Sequence, residues 1–510
     1  MLAVSALRPP FLLSIDCGTG ACKTAVFDLE GREVFDASAE YPVYHPEVNW
    51  AEQDPDEWWA AAVETVSKAT QRVSPNDIAA VAVDSQREAV VPIDNEGRKL
   101  ANSMIWMDER AVPQQKEIER LISKQKVLEI TGVPVDYFFS AAKILWIKEN
   151  QPSIYNRTAC FLCPKDFIVF KLTGQRVTDY SMASRTMLFD IRDLRWSEEI
   201  CDAIGVPIEL LPDAKGSWET VGEVGSQASG LTGLRKGTPV IGGGGDRPCE
   251  ALGAGAFREG LVNIGTGTGS VFEVPLSRPR PDTRGRVDCC SHVVPSLWEY
   301  EVIVNVTGGS LRWFRDNFGV EEIRRGKATG RSAYELLDDL AAGVPAGADG
   351  LFHYPYLSGA KAPKFNPAAR GVFFGLTPGH TKAHFVRSIL EGVAFQYAGI
   401  LEILRELGVS VDEFSMTGGE TRSRLWSQIK ANVVGKPIKT SSVPDAAPLG
   451  AAILAAVGTK QYPDFDDAAR NMVKTTETLQ PEEEMHERYR DVLSKYWTIY
   501  EALDKAFLNR

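Results

Sequence analysis

The group best placed to do chemistry is the carboxylate of Asp246, which follows four consecutive glycines, Gly242 to Gly245, after the apolar pair Val240-Ile241. Glycine weakens an element interior and is favoured where backbone must approach another group closely. An acid after such a turn at a strand end lies where open α/β sheets bind ligands. A second set is Ser85-Gln86-Arg87-Glu88, at the end of a buried strand expected from Ile78 to Val83. Arginine donates in a fork and glutamate accepts from hydroxyls, so an adjacent pair can grip a polyol. A surface ion pair is the competing reading. Trp106, in Ile105-Trp106-Met107-Asp108, is similarly placed and suits the carbon face of a sugar.

A third set is anion-binding. DCGTGACKTAVF, from Asp16, and NIGTGTGSVF, from Asn263, both read as strand, Gly-Thr-Gly turn, strand. Backbone N–H groups at such turns form nests for anions, and the hydroxyls of Thr19 and Thr266 can add donors. The repeat suggests a duplicated fold with a nucleotide between its copies. Gly18 to Thr24 is a near miss for a P-loop: it lacks the glycine before Lys23, and a strand follows where a helix is needed. No G-x-G-x-x-G fingerprint occurs.

The elements that must position these groups are legible around them. A helix is expected from Asp54 to about Gln71, with Asp54 as N-cap, Pro55 at its first position and Glu57 completing a capping pattern. A helix also begins in FFSAAKILWIKEN, from Phe138, where Lys143, Trp146 and Ile147 share helical spacing and Trp146 reads as core. Leu210 to Gly237 reads as a peripheral strand and turn. In the second half, Thr307-Gly308-Gly309-Ser310 opens a helix, and Lys382 to Leu407 is a long one. Phe414 to Gly419 is a third strand-to-glycine turn, and Ala446 to Val457 is small enough for close helix packing. Glu482 to Phe507 is an amphipathic tail helix.

The whole chain sets bounds. Its 510 residues exceed one core and suggest two or three domains. A formal charge of −12 disfavours non-specific nucleic-acid binding. No apolar run is long enough for a membrane span, and the N-terminal stretch lacks a basic start, so a cytoplasmic location is expected. Eight scattered cysteines include one C-x-x-C, Cys160 to Cys163, in an apolar run that reads as core. Cys289-Cys290 with nearby His292 lies in a strand-like stretch, and no structural metal is read.

The chain resembles the FGGY carbohydrate kinases over nearly its whole length. The resemblance rests on DCGTGACK, WAEQDPDEWW, FFSAAKILWIKEN, TDYSMASRTMLFDI, GGGGD, IGTGTG, PYLSGAKAPKFNPAARGVFFGL and TGGETRSRLWSQI, in family order. It implies an α/β fold of two actin-like (ribonuclease H-like) domains, here 1–252 and 253–510, closing on ATP and sugar with Mg²⁺. By position it implies Asp246 as the catalytic base and Asp16 as the Mg²⁺-associated acid. Thr19, Gly20 and Lys23 would line the phosphate turn, and Gly265, Thr266, Gly309, Gly418 and Gly419 would hold the nucleotide. Arg87, Glu88 and Trp106 match the polyol-gripping set of the family's glycerol kinases. Homodimers are common in the family.

The substrate is less defined. YLSGAKAP, NPAARG and LRWFRDNFG look like the family's xylulokinases, whereas Ser85-Gln86-Arg87-Glu88 looks like its glycerol or autoinducer-2 kinases. Arg247 departs from the glutamine or asparagine usual after the base. Beside Asp246 a cation there would favour the ionised carboxylate. Phe138 stands where glycerol kinases carry a pocket tyrosine, and Glu420 replaces a usual glycine or alanine. The expected substrate is a small ketose or polyol, a pentulose such as xylulose ahead of glycerol. An actin-like nucleotide switch without sugar kinase activity is the rival reading.

Overall fold

The computed structural model describes residues 9–441 and 445–508. Two compact units divide the chain. The first takes residues 1–257, 275–300 and 445–474, and the second 258–274, 301–444 and 475–510. Two later segments thus return to the first unit.

In the first unit the chain opens with β1 (Phe11–Cys17), β2 (Ala21–Phe27) and β3 (Glu33–Glu40). Helix α1 (Pro55–Arg72) precedes β4 (Ile78–Ser85), and β5 (Thr220–Glu223) and β6 (Pro239–Gly245) complete one sheet in the order β5-β6-β4-β1-β2-β3. The pairs β1–β2, β2–β3 and β5–β6 are antiparallel, whereas β1, β4 and β6 run parallel. Continuous apolar runs suit such interior strands, which are covered on both faces. Ile15, Val81 and Val83 are wholly buried. Helix α1 begins as expected: the Asp54 side chain accepts from Asp56 N. Glu57, however, takes the Tyr44 hydroxyl at 2.8 Å rather than closing a capping box.

Helix α2 (Ser140–Asn150) starts two residues later than its sequence suggests, because Phe139 is extended and serves as the N-cap. Helix α3 is Pro164–Thr173 and α4 is Asp246–Gly253. All eight cysteines are buried and free.

The second unit repeats the plan. Strands β7 (Gly260–Thr266) and β8 (Ser270–Leu276) form an antiparallel hairpin, followed by β9 (Trp298–Val304) and helix α5 (Gly308–Phe318). Helix α6 (Lys382–Glu406), β10 (Val411–Gly418), helix α7 (Arg424–Val434) and β11 (Ile438–Ser441) come next. Within this unit the sheet order is β9-β8-β7-β10-β11, then β12 (Thr475–Leu479). Strands β7, β10 and β11 are parallel, and β12 is antiparallel to β11. Each unit thus joins a glycine-turned hairpin to two parallel strands and an antiparallel edge, the duplication suggested by the repeated hairpin.

Helix α8 (Ala447–Gly458) belongs to the first unit. It packs so closely on α4 that a Cβ on Gly450 would lie 1.9 Å from the Cys249 carbonyl oxygen. The tail helix α9 (Glu483–Leu508) buries Tyr489, Tyr496, Tyr500 and Phe507 on one face. No helix among the described residues is long and apolar enough to cross a membrane.

Candidate active site

Three parallel strands of the first unit end together. Asp16 on β1 pairs in register with Asp84 on β4, and Asp84 with Gly244 on β6. Asp246, one residue past β6, therefore stands at the same edge as Asp16. The β6 register slips between Ile241 and Gly244, which marks a bulge. Gly243 sits there at φ +69, and a Cβ would fall 1.8 Å from the Val83 carbonyl oxygen, so only glycine fits.

Asp246 Oδ1 accepts from the Arg247 backbone N–H at 2.8 Å and lies 3.2 Å from Arg87 Nε. Arg87 thus sets a cation beside this acid. The Arg247 guanidinium turns along α4, where Nη1 donates to Glu250 Oε2 at 2.7 Å. One helical turn separates the two, a favourable spacing for an ion pair.

Glu88 is buried and holds a backbone φ of +57. A side chain rarely adopts that conformation, and surrounding contacts must maintain it. Lys143 Nζ donates to the Glu88 carbonyl oxygen and, at 2.9 Å, to that of Phe138. The Glu88 carboxylate accepts from Arg185 Nε, whose Nη1 reaches Asp288 at 2.9 Å. Arg185 also lies over the Phe138 and Phe139 rings, at 5.9 and 5.0 Å. Trp106 is 39% exposed and meets Phe138 edge-on, with centroids 6.4 Å apart. Its indole N–H donates to Thr19 Oγ1 at 2.9 Å, and Thr19 Oγ1 donates to Gln86 Oε1 at 3.2 Å. Arg185, the Glu88 carboxylate and the Phe138 and Trp106 rings thus adjoin one another, a set able to bind hydroxyls and C–H faces together. Arg185 and Lys143 were not singled out as site residues. Arg185 lies within TDYSMASRTMLFDI, and Lys143 in the expected helix.

Burial lowers the Lys143 pKa from its ordinary 10.5 to about 8, with Glu88 pulling the other way. Between those values the unfolded chain keeps a proton that the folded chain has released, so this group makes stability rise with pH across that window. Lys143→Met removes the dependence. Its stability deficit against the unaltered protein is expected to widen from pH 8 to 10, by on the order of 1 kcal/mol per pH unit, measured by urea unfolding at stepped pH. A constant deficit would contradict this.

The acids at the strand ends form a second feature. Asp84 is wholly buried, and neither carboxylate oxygen meets an N–H or O–H donor. Burial raises its pKa, and the facing Asp16 and nearby Asp445 add to the rise. Asp16, half-buried, is raised by burial, Asp445 and Asp246. Both carboxyls are thus held above the usual carboxylate range. Lys23, opposite Asp16 across the hairpin, places Nζ 3.5 Å from both Glu33 and Asp445. Asp445 was not anticipated. It lies shortly before α8, and only folding brings it to β2.

Among the described residues no three His, Cys, Asp or Glu side chains gather to hold a metal. Mg²⁺ needs only one or two protein carboxylates, with water and phosphate completing its shell. Asp16, backed by the donorless Asp84, fits that demand. A Cβ on Gly20 would meet nothing within 4 Å, so the protein itself does not require glycine there, and a ligand can approach the backbone.

In the second unit the glycine turns are partly committed to each other. Thr266 Oγ1 donates to the Thr417 carbonyl and accepts from Glu420 N at 3.2 Å. Gly309 N donates to Thr268 O at 3.0 Å, which ties the start of α5 to the hairpin turn. Gly265 lies inside the β7–β10 ladder, opposite Thr417. Gly418, at φ +82, passes so near Thr266 that a Cβ would lie 1.9 Å from its carbonyl oxygen. Gly419 opens on free space. Glu420 is buried, with Oε2 on Lys430 Nζ and accepting from the Tyr397 hydroxyl at 3.3 Å.

Residues 11–253 match the N-terminal domain of the FGGY family of carbohydrate kinases, and residues 262–459 match its C-terminal domain. The chain is 29% identical to a xylulose kinase of Bacillus subtilis (strain 168), over 96% of each chain. It is 29% identical to a gluconokinase of Bacillus licheniformis, covering 98% of this chain and 97% of that one. A glycerol kinase of Thermococcus kodakarensis is 30% identical over 97% of both. The crystal structure of xylulose kinase from Rhodospirillum rubrum superposes with a TM-score of 0.90 at 29% identity, covering 98% of this chain and 99% of that one.

Proposed function

The chain belongs to the FGGY family of carbohydrate kinases, and from that premise we propose that it transfers the γ-phosphoryl group of ATP to a hydroxyl of a small sugar or polyol, a pentulose such as xylulose ahead of glycerol. The observation that carries the reading is the 3.2 Å approach of Arg87 Nε to Asp246 Oδ1. It sets the hydroxyl-binding corner directly against the acid that would serve as base.

In this reading Arg87 and Glu88 hold substrate hydroxyls, Trp106 and Phe138 cover its carbon face, and Arg247 lies at the rim. Asp246 takes the proton of the attacking hydroxyl as the new phosphorus–oxygen bond forms and ADP leaves. Thr19, Gly20 and Lys23 face the transferred phosphates, and Gly265, Thr266, Gly309, Gly418 and Gly419 shape the nucleotide site. Bound Mg²⁺ would supply charge neutralisation at the phosphates, and Asp16 is the residue that would hold it. Phosphoryl transfer asks little covalent work of a protein, so positioning and electrostatics should dominate. The Gln86-Arg87-Glu88 corner supports glycerol or another polyol as the second reading.

The test is ADP release from ATP, measured with glycerol, tetritols, pentitols, pentuloses, hexuloses and gluconate. Stimulation by one small group of these is expected. Release that is indifferent to every sugar would instead mark a nucleotide switch.

A further inference from the structure

The TDYSMAS stretch and the buried lysine before it have no part in the chemistry above, yet they meet beneath its central acid. A bulge removes ladder hydrogen bonds from a strand, and buried backbone groups must then find other partners. In β6 they do. Gly242 N donates to Glu219 O and Gly243 N to Ser217 O, both at 2.9 Å. The Gly242 carbonyl accepts from Lys165 Nζ at 2.9 Å, and Gly245 N donates to Ser181 Oγ at 3.0 Å.

These side chains are themselves locked. Ser181 Oγ and Ser217 Oγ both donate to Asp179 Oδ2, at 2.5 and 2.7 Å. Lys165 Nζ lies 2.9 Å from Asp166 Oδ1 and 3.3 Å from Asp179 Oδ1. Lys165, Asp166, Asp179, Ser181 and Ser217 are at most 1% exposed. Burial works against the Lys165 charge, but Asp166 and Asp179 outweigh it and hold its pKa above the ordinary value.

We propose that Ser181, anchored by Asp179 and Lys165, is a positioning residue that sets the direction of Asp246 by holding the Gly245 amide. The inference rests on the reading of Asp246 as the base. Gly245 is the N-cap of α4 and the last fixed point before Asp246, so its peptide plane decides where the carboxylate points. The same segment ends in Arg185, which holds Glu88. One short stretch therefore orients both the acid and the hydroxyl-binding corner.

The experiment is Ser181→Ala in the full chain, with two readouts. Amide exchange at residues 243–245, followed without substrate, should quicken by about tenfold for the loss of one buried hydrogen bond. With the sugar found active, kcat should fall by about 10–100-fold, as for a small misplacement of a reacting group. KM for sugar and for ATP should stay within about threefold, since neither is touched by Ser181. Ser217→Ala, which removes one bond to Asp179, should reproduce the pattern more weakly and serves if Ser181→Ala does not fold. Unchanged exchange overturns the proposal, as does quickened exchange with unchanged kcat. If the unaltered protein phosphorylates no sugar, the kinase reading fails by itself, and the exchange measurement still decides whether Ser181 holds the Gly245 amide.

Discussion

Asp246→Asn is expected to lower kcat by about 10²–10⁴-fold, the usual weight of a general base, while ATP binding stays within about threefold. The amide is nearly isosteric and can still accept from the Arg247 N–H at Oδ1, so the start of α4 is preserved. It cannot accept the hydroxyl proton. Steady-state ADP release with the active sugar measures the first quantity, and calorimetric titration with ATP the second. Undiminished turnover would remove Asp246 from the base role. Lost ATP binding would show that the substitution disturbed more than proton transfer.

Lys430→Met should have the largest effect on stability, a loss of about 3–5 kcal/mol, as expected when one partner of a buried ion pair is removed. Lys430 is wholly buried over the Trp426 and Tyr397 rings, at 4.5 and 5.1 Å, with Nζ on Glu420. Burial lowers its pKa and Glu420 opposes that shift. Methionine preserves length and apolar packing but leaves the Glu420 carboxylate without its cation, and Glu420 Oε1 already meets no donor. Adding Glu420→Gln should recover most of the loss, because the Tyr397 hydroxyl can still donate to the amide oxygen. Denaturant unfolding of the single and double variants checks both statements. A single variant within about 1 kcal/mol of the unaltered protein would contradict them.

The parts of the site legible in the sequence are those whose signals are local. Asp246 and the Arg87-Glu88 corner each follow a glycine turn or an apolar strand, so type and place are read together. The hairpins at Gly18 and Gly265 are equally local, and their repetition showed the duplication. What escaped depends on convergence between distant segments. Arg185 reaches Glu88 across 97 positions and Lys143 across 55. Asp445 meets Lys23 only because its segment returns to the first unit.

Other groups have partners close in the fold. The Thr266 hydroxyl and the Gly309 N–H are engaged with neighbouring backbone. Arg247 had a visible partner, Glu250, one helical turn away, and that spacing was the available signal. Glu420 looked anomalous until Lys430, ten positions on, supplied its counter-charge.

The Glu420–Lys430 pair also constrains ancestry. Either residue alone is a lone charge in an apolar interior, so a lineage moving from a small neutral residue at 420 crosses an unfavourable single-step intermediate. The two characters should therefore be inherited as a block. Descendants of a common ancestor are expected to carry both or neither, and a natural homologue with only one should hold a third compensating change beside it.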